Sequence, residues 1–346
     1  MKNTTRRDFI KTSGAVGSFF ILPSGLRANS PNGRICTAHI GTGGKGRVDT
    51  AYLAKHKHVE VLGLCDVDYK HGKIDTWSKQ FKSATAYQDY REMLAKLDDK
   101  IDVVSISTPD HTHYPATIDA MERGKHVYTQ KPLCHTVNEV RILTEEARKH
   151  KVVTQMGHQG HSSESTAMVR DWVQGGCIGE VRDVHVFSWK NYGTKAAPAQ
   201  GSEYPETLDW DLFLNRAEEI PFSTSYINRE WIRHGHFAGI VGDMAPHLFD
   251  PAYHALDLRV PTSVMAEVPE PSPPGRLPNA AVITWEFAAR GNMPPVTLKY
   301  YLGPDTPRPQ LEHLEQDRKI PFMQRGSDLG GSVLVGENAS IMAAES

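Results

Sequence analysis

The feature that most constrains the fold is a glycine-rich turn that directly follows a short apolar run. Arg34–Ile40 is strand-like and leads into Gly41-Thr42-Gly43-Gly44-Lys45-Gly46, which has the spacing G-x-G-x-x-G. In this spacing the first glycine permits a tight turn, the second lets the backbone approach a pyrophosphate, and the third lets the following helix pack close to the strand. The pattern predicts a strand, a phosphate-binding turn and a helix whose N-terminus faces the anion.

An acidic residue stands where a dinucleotide site needs one. The next strand-like run, Val59–Asp66, ends with Asp66, 20 residues after Gly46. A carboxylate at this position accepts hydrogen bonds from the adenosine ribose hydroxyls and repels a 2′-phosphate, so the pair of signals predicts NAD as the cofactor in preference to NADP. The alternative is a solvent-facing aspartate at the end of a strand.

The order of strand-like and helical runs divides the chain into two parts. Strand-like and helical runs alternate up to residue 157, which predicts an N-terminal Rossmann domain over residues 34–157 with a doubly wound parallel sheet. Strand-like runs with few helices follow, which predicts a C-terminal α+β domain over residues 158–346 with a largely antiparallel open sheet. The chain ends soon after the strand-like Gly331–Val335, so we expect this domain to be abbreviated. The helices and strands expected are Lys45–Lys55, Tyr69–Phe81, Val103–Ser107, His126–Thr129, Val152–Met156, Val181–Trp189, Thr262–Val268, Ala281–Phe287 and Val296–Tyr301.

The first residues have the pattern of an export signal. Arg6-Arg7 is followed by a weakly apolar stretch and by Ala28, a small residue suited to a cleavage site. We therefore interpret residues 1–28 as a twin-arginine signal and expect a periplasmic or otherwise exported protein. The formal net charge of −2 and the 23% of charged residues give no basic excess for binding nucleic acid, and no apolar run is long enough to hold the mature chain in a membrane.

Three further motifs carry polar groups that suit a site beside a cofactor. Thr108-Pro109-Asp110-His111-Thr112-His113 follows one predicted strand, with His113 at the start of the next helix, and Gln130-Lys131-Pro132 follows another. Ligands of open α/β sheets bind at this carboxyl edge. If the stretch after Gly239 begins a helix, Asp243 and His247 lie one turn apart on one face. A helix-capping aspartate, a core histidine and a surface lysine are the alternatives.

Taken together, these residues resemble the Gfo/Idh/MocA family of oxidoreductases. The resemblance implies that Lys131, Asp243 and His247 surround the reacting carbinol, with His247 as base, Lys131 stabilising the alkoxide and Asp243 orienting substrate or His247. The residues expected to bind the cofactor are Gly41, Gly43, Gly44, Gly46, Asp66, Thr108, Pro109, His113, Gln130 and Lys131. Gln130 stands where the family usually has Glu, which removes a charge beside Lys131.

Histidines and aromatic residues of the second part are candidates for binding substrate. The segment from residue 191 to residue 233 is longer than the usual connection between two elements of secondary structure, which favours a functional loop. The residues expected to bind substrate are His158, Gln159, His161, Tyr192, Trp231 and Arg233. Recognition of sugar hydroxyls is a simpler interpretation of the histidines than a metal site, and we predict no metal.

Three functions are compatible with these signals. The first is an NAD-dependent oxidoreductase that removes hydride from a hydroxyl of a sugar, sugar derivative or cyclitol and keeps its cofactor tightly bound, because an exported protein meets no soluble nicotinamide pool. The second is a redox-neutral NAD-dependent glycosidase or lyase that forms a transient ketosugar. The third is a non-catalytic ligand-binding protein on the same fold. The open sheet of the second domain is the expected surface for a homo-oligomer.

Overall fold

The protein contains two six-stranded sheets, which are built from different stretches of the chain. The computed structural model describes residues 33–190, 203–227, 230–270, 275–304, 306–307 and 330–344. Tyr192 and the predicted signal segment 1–28 lie outside these residues, so the predictions made for them stay predictions. Among the residues described, no helix combines the length and the apolar character needed to cross a membrane.

The first sheet is parallel throughout and has the strand order β3-β2-β1-β4-β5-β6. Its strands are β1 Ile35–Ile40, β2 Val59–Cys65, β3 Thr85–Tyr87, β4 Val103–Ile106, β5 His126–Gln130 and β6 Thr154–Gly157. The connecting helices are α1 Gly44–Ala54, α2 Ile74–Gln80, α3 Tyr90–Lys96, α4 His113–Glu122 and α5 Val137–His150. Central strands such as β1 and β4 are buried almost continuously, as expected for strands that helices cover on both faces.

The second sheet is mostly antiparallel and has the order β12-β11-β7-β10-β9-β8, with one parallel pair, β7 and β10. Its strands are β7 Val181–Ser188, β8 Ser263–Glu267, β9 Ala281–Phe287, β10 Val296–Leu302, β11 Gly331–Gly336 and β12 Ser340–Ala344. The helices of this part are α6 Glu164–Gln174, α7 Trp210–Leu214 and α8 Ile240–Ala255. Apolar side chains of α6 and α8 pack with the inward residues of the sheet in one buried core.

The predicted fold class is confirmed, and the differences are local. The helix expected over Tyr69–Phe81 begins only at Ile74, because the chain first makes a turn in which Lys73 has the left-handed φ of 54°. The pair β3 and α3 was not predicted. Part of the long segment before residue 233 is ordered, since α7 contributes Trp210 and Phe213 to a buried aromatic cluster. β6 ends at Gly157, and the division of the chain into domains at residues 157 and 158 stays a prediction.

Candidate active site

A cavity of about 720 Å³ lies at the carboxyl edge of the first sheet. The helix α8, which packs on the second sheet, forms part of its wall. The glycine loop and Asp66 form one end of its wall, and the first turns of α8 form the other. The predicted site residues on this wall are Gly41, Gly43, Gly44, Asp66, Thr108, Pro109, Gln130, Lys131, Gln159, Trp231, Asp243 and His247. Residues from seven separate stretches of the chain therefore meet at one cavity.

The glycine loop has the close packing that its spacing predicts. A Cβ atom at Gly41, where φ is 76°, would lie 2.6 Å from the carbonyl oxygen of Ser107. A Cβ atom at Gly46 would lie only 1.8 Å from the carbonyl oxygen of Gly41. Gly46 is not on the cavity wall, so its part in the site is to let α1 approach β1, while Gly41, Gly43 and Gly44 face the cavity.

Asp66 holds the glycine loop in place. Its Oδ2 accepts hydrogen bonds from the backbone N–H groups of Thr42 at 2.9 Å and Gly43 at 3.2 Å, and its Oδ1 accepts one from Asp68 at 3.1 Å. Burial raises the pKa of Asp66, and these N–H groups oppose that rise. The carboxyl group is on the cavity wall, and its predicted contact with a ribose stays a prediction.

The loop, the carboxyl group and the cavity fit a dinucleotide. The loop carries no side chain at Gly41, Gly43 or Gly44, the N-terminus of α1 lies directly after it, and the cavity volume lies in the range of small-molecule and cofactor sites. Gly41, Gly43 and Gly44 would hold the pyrophosphate, and Asp66 stands at the ribose end.

Asp243 lies between two lysine side chains on the opposite wall. The Nζ of Lys131 is 3.1 Å from Oδ1 of Asp243 and also donates to the Asp243 carbonyl oxygen at 2.7 Å. The Nζ of Lys190 pairs with Oδ2. Burial alone would raise the pKa of Asp243, but the two ammonium groups outweigh it and lower that pKa to about 2. Asp243 is consequently a fixed negative charge that orients both lysines.

His247 lies one turn after Asp243 in α8, as the spacing predicts. Its ring is 5.0 Å from the ring of His158, and it faces the cavity. Burial and, after it, the positive charge of Lys131 lower the pKa of His247 to about 4. The imidazole is therefore neutral at pH 7 and able to accept a proton.

Gln130 makes a contact that explains how this chain accommodates an amide before Lys131. Its Nε2 donates to Oδ2 of Asp49 at 2.8 Å, and the hydroxyl of Ser107 donates to the same oxygen at 2.8 Å. Asp49 lies in α1, and its Oδ1 is 3.3 Å from the Nζ of Lys45. The negative charge that glutamate would carry at position 130 is thus present nearby, on α1.

His113 joins two loops behind the cavity instead of lining it. Its Nδ1 is 2.6 Å from the carbonyl oxygen of Pro132, and its Nε2 is 2.9 Å from the carbonyl oxygen of Thr108. Burial lowers the pKa of His113 to about 4, so the neutral ring donates to one of these carbonyls. Of the predicted cofactor residues in this turn, Thr108 and Pro109 are on the wall and His113 supports them from behind.

The predicted substrate residues divide into those on the wall and those outside it. Gln159 and Trp231 are on the wall, and Gln159 donates to the hydroxyl of Tyr128 at 2.7 Å. His158, His161 and Arg233 are not.

Each of these three side chains has a protein partner. Nδ1 of His158 accepts from the His161 N–H at 3.1 Å, so its Nε2 carries the proton and donates to the carbonyl of Pro246 at 2.8 Å. His161 contacts Asp250 at 2.8 Å, and Arg233 contacts Glu230 at 2.9 Å. A direct contact of these residues with substrate would require them to change partners.

Three residues of the site escaped the sequence analysis. Lys190 follows the predicted strand Val181–Trp189 directly, the same signal that singled out Lys131. Asp110 belongs to the segment from Thr108 to His113, whose histidines are the more distinctive residues. Asp49 gave no signal, since one aspartate in a helix is ordinary. Among the described residues no group of three or more His, Cys, Asp or Glu side chains is arranged to hold a metal ion.

Known proteins resemble the chain in sequence and in fold. Residues 35–158 match the family model GFO_IDH_MocA, described as an oxidoreductase family with an NAD-binding Rossmann fold. An α-N-acetylgalactosaminidase of Shewanella oneidensis is 28% identical over 222 residues, which are 55% of this chain and 48% of that protein. The chain thus spans about half the length of the curated relatives it matches.

Solved structures share the fold over most of the chain. GenD2 from gentamicin A biosynthesis, in complex with NAD, has a TM-score of 0.62 at 19% identity, covering 90% of this chain and 72% of GenD2. Levoglucosan dehydrogenase, in complex with NADH and L-sorbose, has a TM-score of 0.61 at 17% identity, covering 90% and 73%. The glycine loop and the strand order agree with the family match, so residues 35–158 form a Rossmann domain similar to those of the NAD-binding GFO_IDH_MocA oxidoreductase family.

Proposed function

We propose that the protein is an NAD-dependent oxidoreductase that acts on a hydroxyl group of a sugar, a sugar derivative or a cyclitol. The observation that carries this proposal is the meeting of Lys131, Asp243 and His247 on the cavity wall that faces the glycine loop. A neutral base and a cation beside one carbinol are what removal of its hydroxyl proton requires. Sugar-binding dehydrogenases among the proteins of the same fold support the substrate class.

Each residue has a separate part in this reaction. His247 accepts the hydroxyl proton on its neutral ring, and the Lys131 ammonium stabilises the negative charge that develops on the oxygen. Asp243 holds Lys131 and Lys190 at the wall through its two carboxylate oxygens. Bound NAD supplies the hydride acceptor.

The first experiment asks whether the protein retains NAD and oxidises a sugar. The purified protein is denatured, released nicotinamide is identified by mass spectrometry, and sugars and cyclitols are screened for ketone formation. Lys131→Ala should lower kcat at least tenfold, because the lysine acts on the reacting oxygen, and an NAD titration of the variant separates this loss from any loss of cofactor affinity. Lys149→Ala is the matched control, since Lys149 is exposed on α5 and, among the described residues, its ion pair is with Glu146. A protein that binds NAD without any turnover would instead be a ligand-binding protein.

A second candidate function is redox-neutral cleavage of a glycoside by way of a transient ketosugar. It is favoured by the curated relatives, which are named as glycosyl hydrolases or as an α-N-acetylgalactosaminidase. Glycosides of N-acetylgalactosamine are therefore the first probes. A free aglycone with the amount of oxidised NAD unchanged supports cleavage, and a ketosugar with reduced NAD supports net oxidation.

Tight retention of the cofactor is part of the proposal because of the predicted export. If residues 1–28 direct the folded protein out of the cytoplasm, NAD must travel with it. Export, the periplasmic location and self-association through the second sheet remain predictions.

A further inference from the structure

Asp110 is a carboxyl group of the cavity that the proposed oxidation does not use. It begins the short turn after β4, only 3% of its surface is exposed, and it lines the cavity. Among the described residues, its Oδ2 has no hydrogen-bond partner. A buried polar oxygen without a partner is costly, which points to a function for it.

The position of Asp110 places it beside the predicted catalytic residues. A Cβ atom added at Gly242 would lie 3.6 Å from Oδ2 of Asp110 and 3.0 Å from Cγ of Pro132. Gly242 precedes Asp243, and Pro132 follows Lys131. The carboxyl oxygen therefore lies where the Lys131 loop and the first turn of α8 meet.

The charges around Asp110 favour its protonated form. Burial raises its pKa to about 8, with the carboxylate of Asp243 adding to the rise and the ammonium of Lys131 opposing it. On its own turn, His111 and His113 contribute no positive charge at pH 7, because burial lowers the pKa of each to about 4. The site thus contains a fixed anion at Asp243 and a neutral acid at Asp110, as enzymes with two carboxyl groups in distinct roles do.

We propose that Asp110 is the acid that protonates a departing glycosidic oxygen in this cavity. The proposal rests on the second candidate function, redox-neutral cleavage. A general acid for the leaving group is the one component that oxidation of a hydroxyl does not need and that cleavage does.

The C–O bond to the aglycone breaks, its electron pair stays with oxygen, and the Asp110 proton moves to that oxygen. The C–H bond beside the ketone supplies the electrons of the new C=C bond, and its proton goes to His247, which has already released the hydroxyl proton to water. When water adds, its oxygen bonds to carbon, one of its protons returns to Asp110, and the His247 proton returns to the neighbouring carbon. The hydride taken up in the oxidation would then return to the carbonyl carbon, and a proton from water would restore the hydroxyl group.

The first test of the proposal is independent of activity. Aspartate carboxyl carbons of the full chain are labelled with ¹³C, and their resonances are followed from pH 5 to pH 9, with Asp110→Asn used for assignment. The expected result is an Asp110 carboxyl that is protonated at pH 7 and titrates near pH 8. An Asp110 resonance that is already ionised at pH 7 would overturn the proposal, whatever the protein catalyses.

The second test compares leaving groups. Methyl and p-nitrophenyl α-N-acetylgalactosaminides carry the same sugar, but p-nitrophenolate leaves without a proton and methanol needs one. We expect Asp110→Asn to slow cleavage of the methyl glycoside about 100-fold and cleavage of the p-nitrophenyl glycoside less than about threefold. Equal losses on both glycosides would show a structural role and sink the acid role.

Wild-type protein provides a version of this test that needs no variant. Cleavage of the methyl glycoside should decline as the pH rises through 8, and cleavage of the p-nitrophenyl glycoside should not follow that decline. If the wild type forms a ketosugar but cleaves neither glycoside, the acid role fails and the oxidoreductase function stands. If it does neither, both fail.

Discussion

At the scale of single residues, the site depends on which side chain near Lys131 carries a negative charge. The resemblance to the family implied a glutamate before Lys131, and the sequence shows only that Gln130 lacks it. The structure adds that Asp49 lies 2.8 Å from Gln130 and carries the charge instead. This contact joins residues 81 positions apart, so no local pattern predicts it. The same is true of Lys190 and Asp243, whose 53-residue separation hides the ion pair.

The Asp49 contact predicts how a restored glutamate would behave. Gln130→Glu places a second carboxylate against a buried one, so we expect NAD affinity to fall about tenfold, a cost of roughly 1–2 kcal/mol. The double variant Asp49→Asn/Gln130→Glu exchanges donor and acceptor and should recover most of the loss. A double-mutant cycle measured by NAD titration gives the coupling, expected at about 1–2 kcal/mol. Purely additive effects would mean that the two side chains do not interact.

At the scale of helices and strands, an element could be predicted when it was several residues long and turn residues marked its ends. β1, β2 and the strands β7 to β11 were predicted because each contains several apolar residues bounded by turn residues, whereas β12 was not predicted. β3 has three residues and shows no alternation that a sequence pattern can display. α8 was recognisable at its first turn, since glycines precede a polar pair with helical spacing. Its packing against the other sheet's carboxyl edge is a tertiary feature without a local signal.

The junction of β1 and α1 gives a prediction at this scale. Gly46→Ala would place a methyl group 1.8 Å from a backbone oxygen that cannot move independently, so we expect a loss of about 3 kcal/mol in the free energy of unfolding. Gly239→Ala is the matched control, because Gly239 precedes α8 with φ of −113° and has no atom within 4 Å of an added Cβ. That change should cost less than about 1 kcal/mol. Urea denaturation of both variants measures the difference, and similar losses would contradict the packing role of Gly46.

At the scale of the whole molecule, buried titratable groups couple stability to pH. Burial lowers the pKa of His39, His111, His113 and His247 to about 4 from an ordinary value of 6.5. The unfolded chain therefore binds more protons than the folded protein between pH 6.5 and pH 4, and stability must fall as the pH falls through that range. The expected loss between pH 6.5 and pH 5 is about 1.5 kcal/mol for each of the fully buried His39, His111 and His113, or roughly 4–5 kcal/mol for the three, with a smaller share from the partly exposed His247.

Asp110 acts with the opposite sign over a higher range. Its pKa is raised to about 8 from 3.8, so the folded protein binds the extra proton and stability falls as the pH rises from about 4 to 8. Burial raises the pKa of Asp66 in the same direction. Below pH 6.5 the four histidines change the free energy of unfolding more than the two carboxyl groups do. Above pH 6.5 the two carboxyl groups have the larger effect. Stability is therefore expected to be greatest near pH 6.5. Urea denaturation from pH 5 to pH 8.5 measures this profile.

Two variants test which groups cause the change of stability on the acid and on the alkaline side of the profile. Each variant is the control for the other. Within the part of the chain that the structure describes, the His39 ring hydrogen-bonds to the hydroxyl groups of Thr37 and Thr50, at 3.0 and 3.3 Å, so His39→Gln keeps polar partners and removes one titration. It should make the acid side shallower by about one proton and leave the alkaline side unchanged. Asp110→Asn should make the alkaline side shallower by about one proton and, because Asp110 acts from about pH 4 to pH 8, the acid side steeper by about the same amount. A profile that both variants shift uniformly, without a change of slope on either side, would mean that other groups couple this fold to pH.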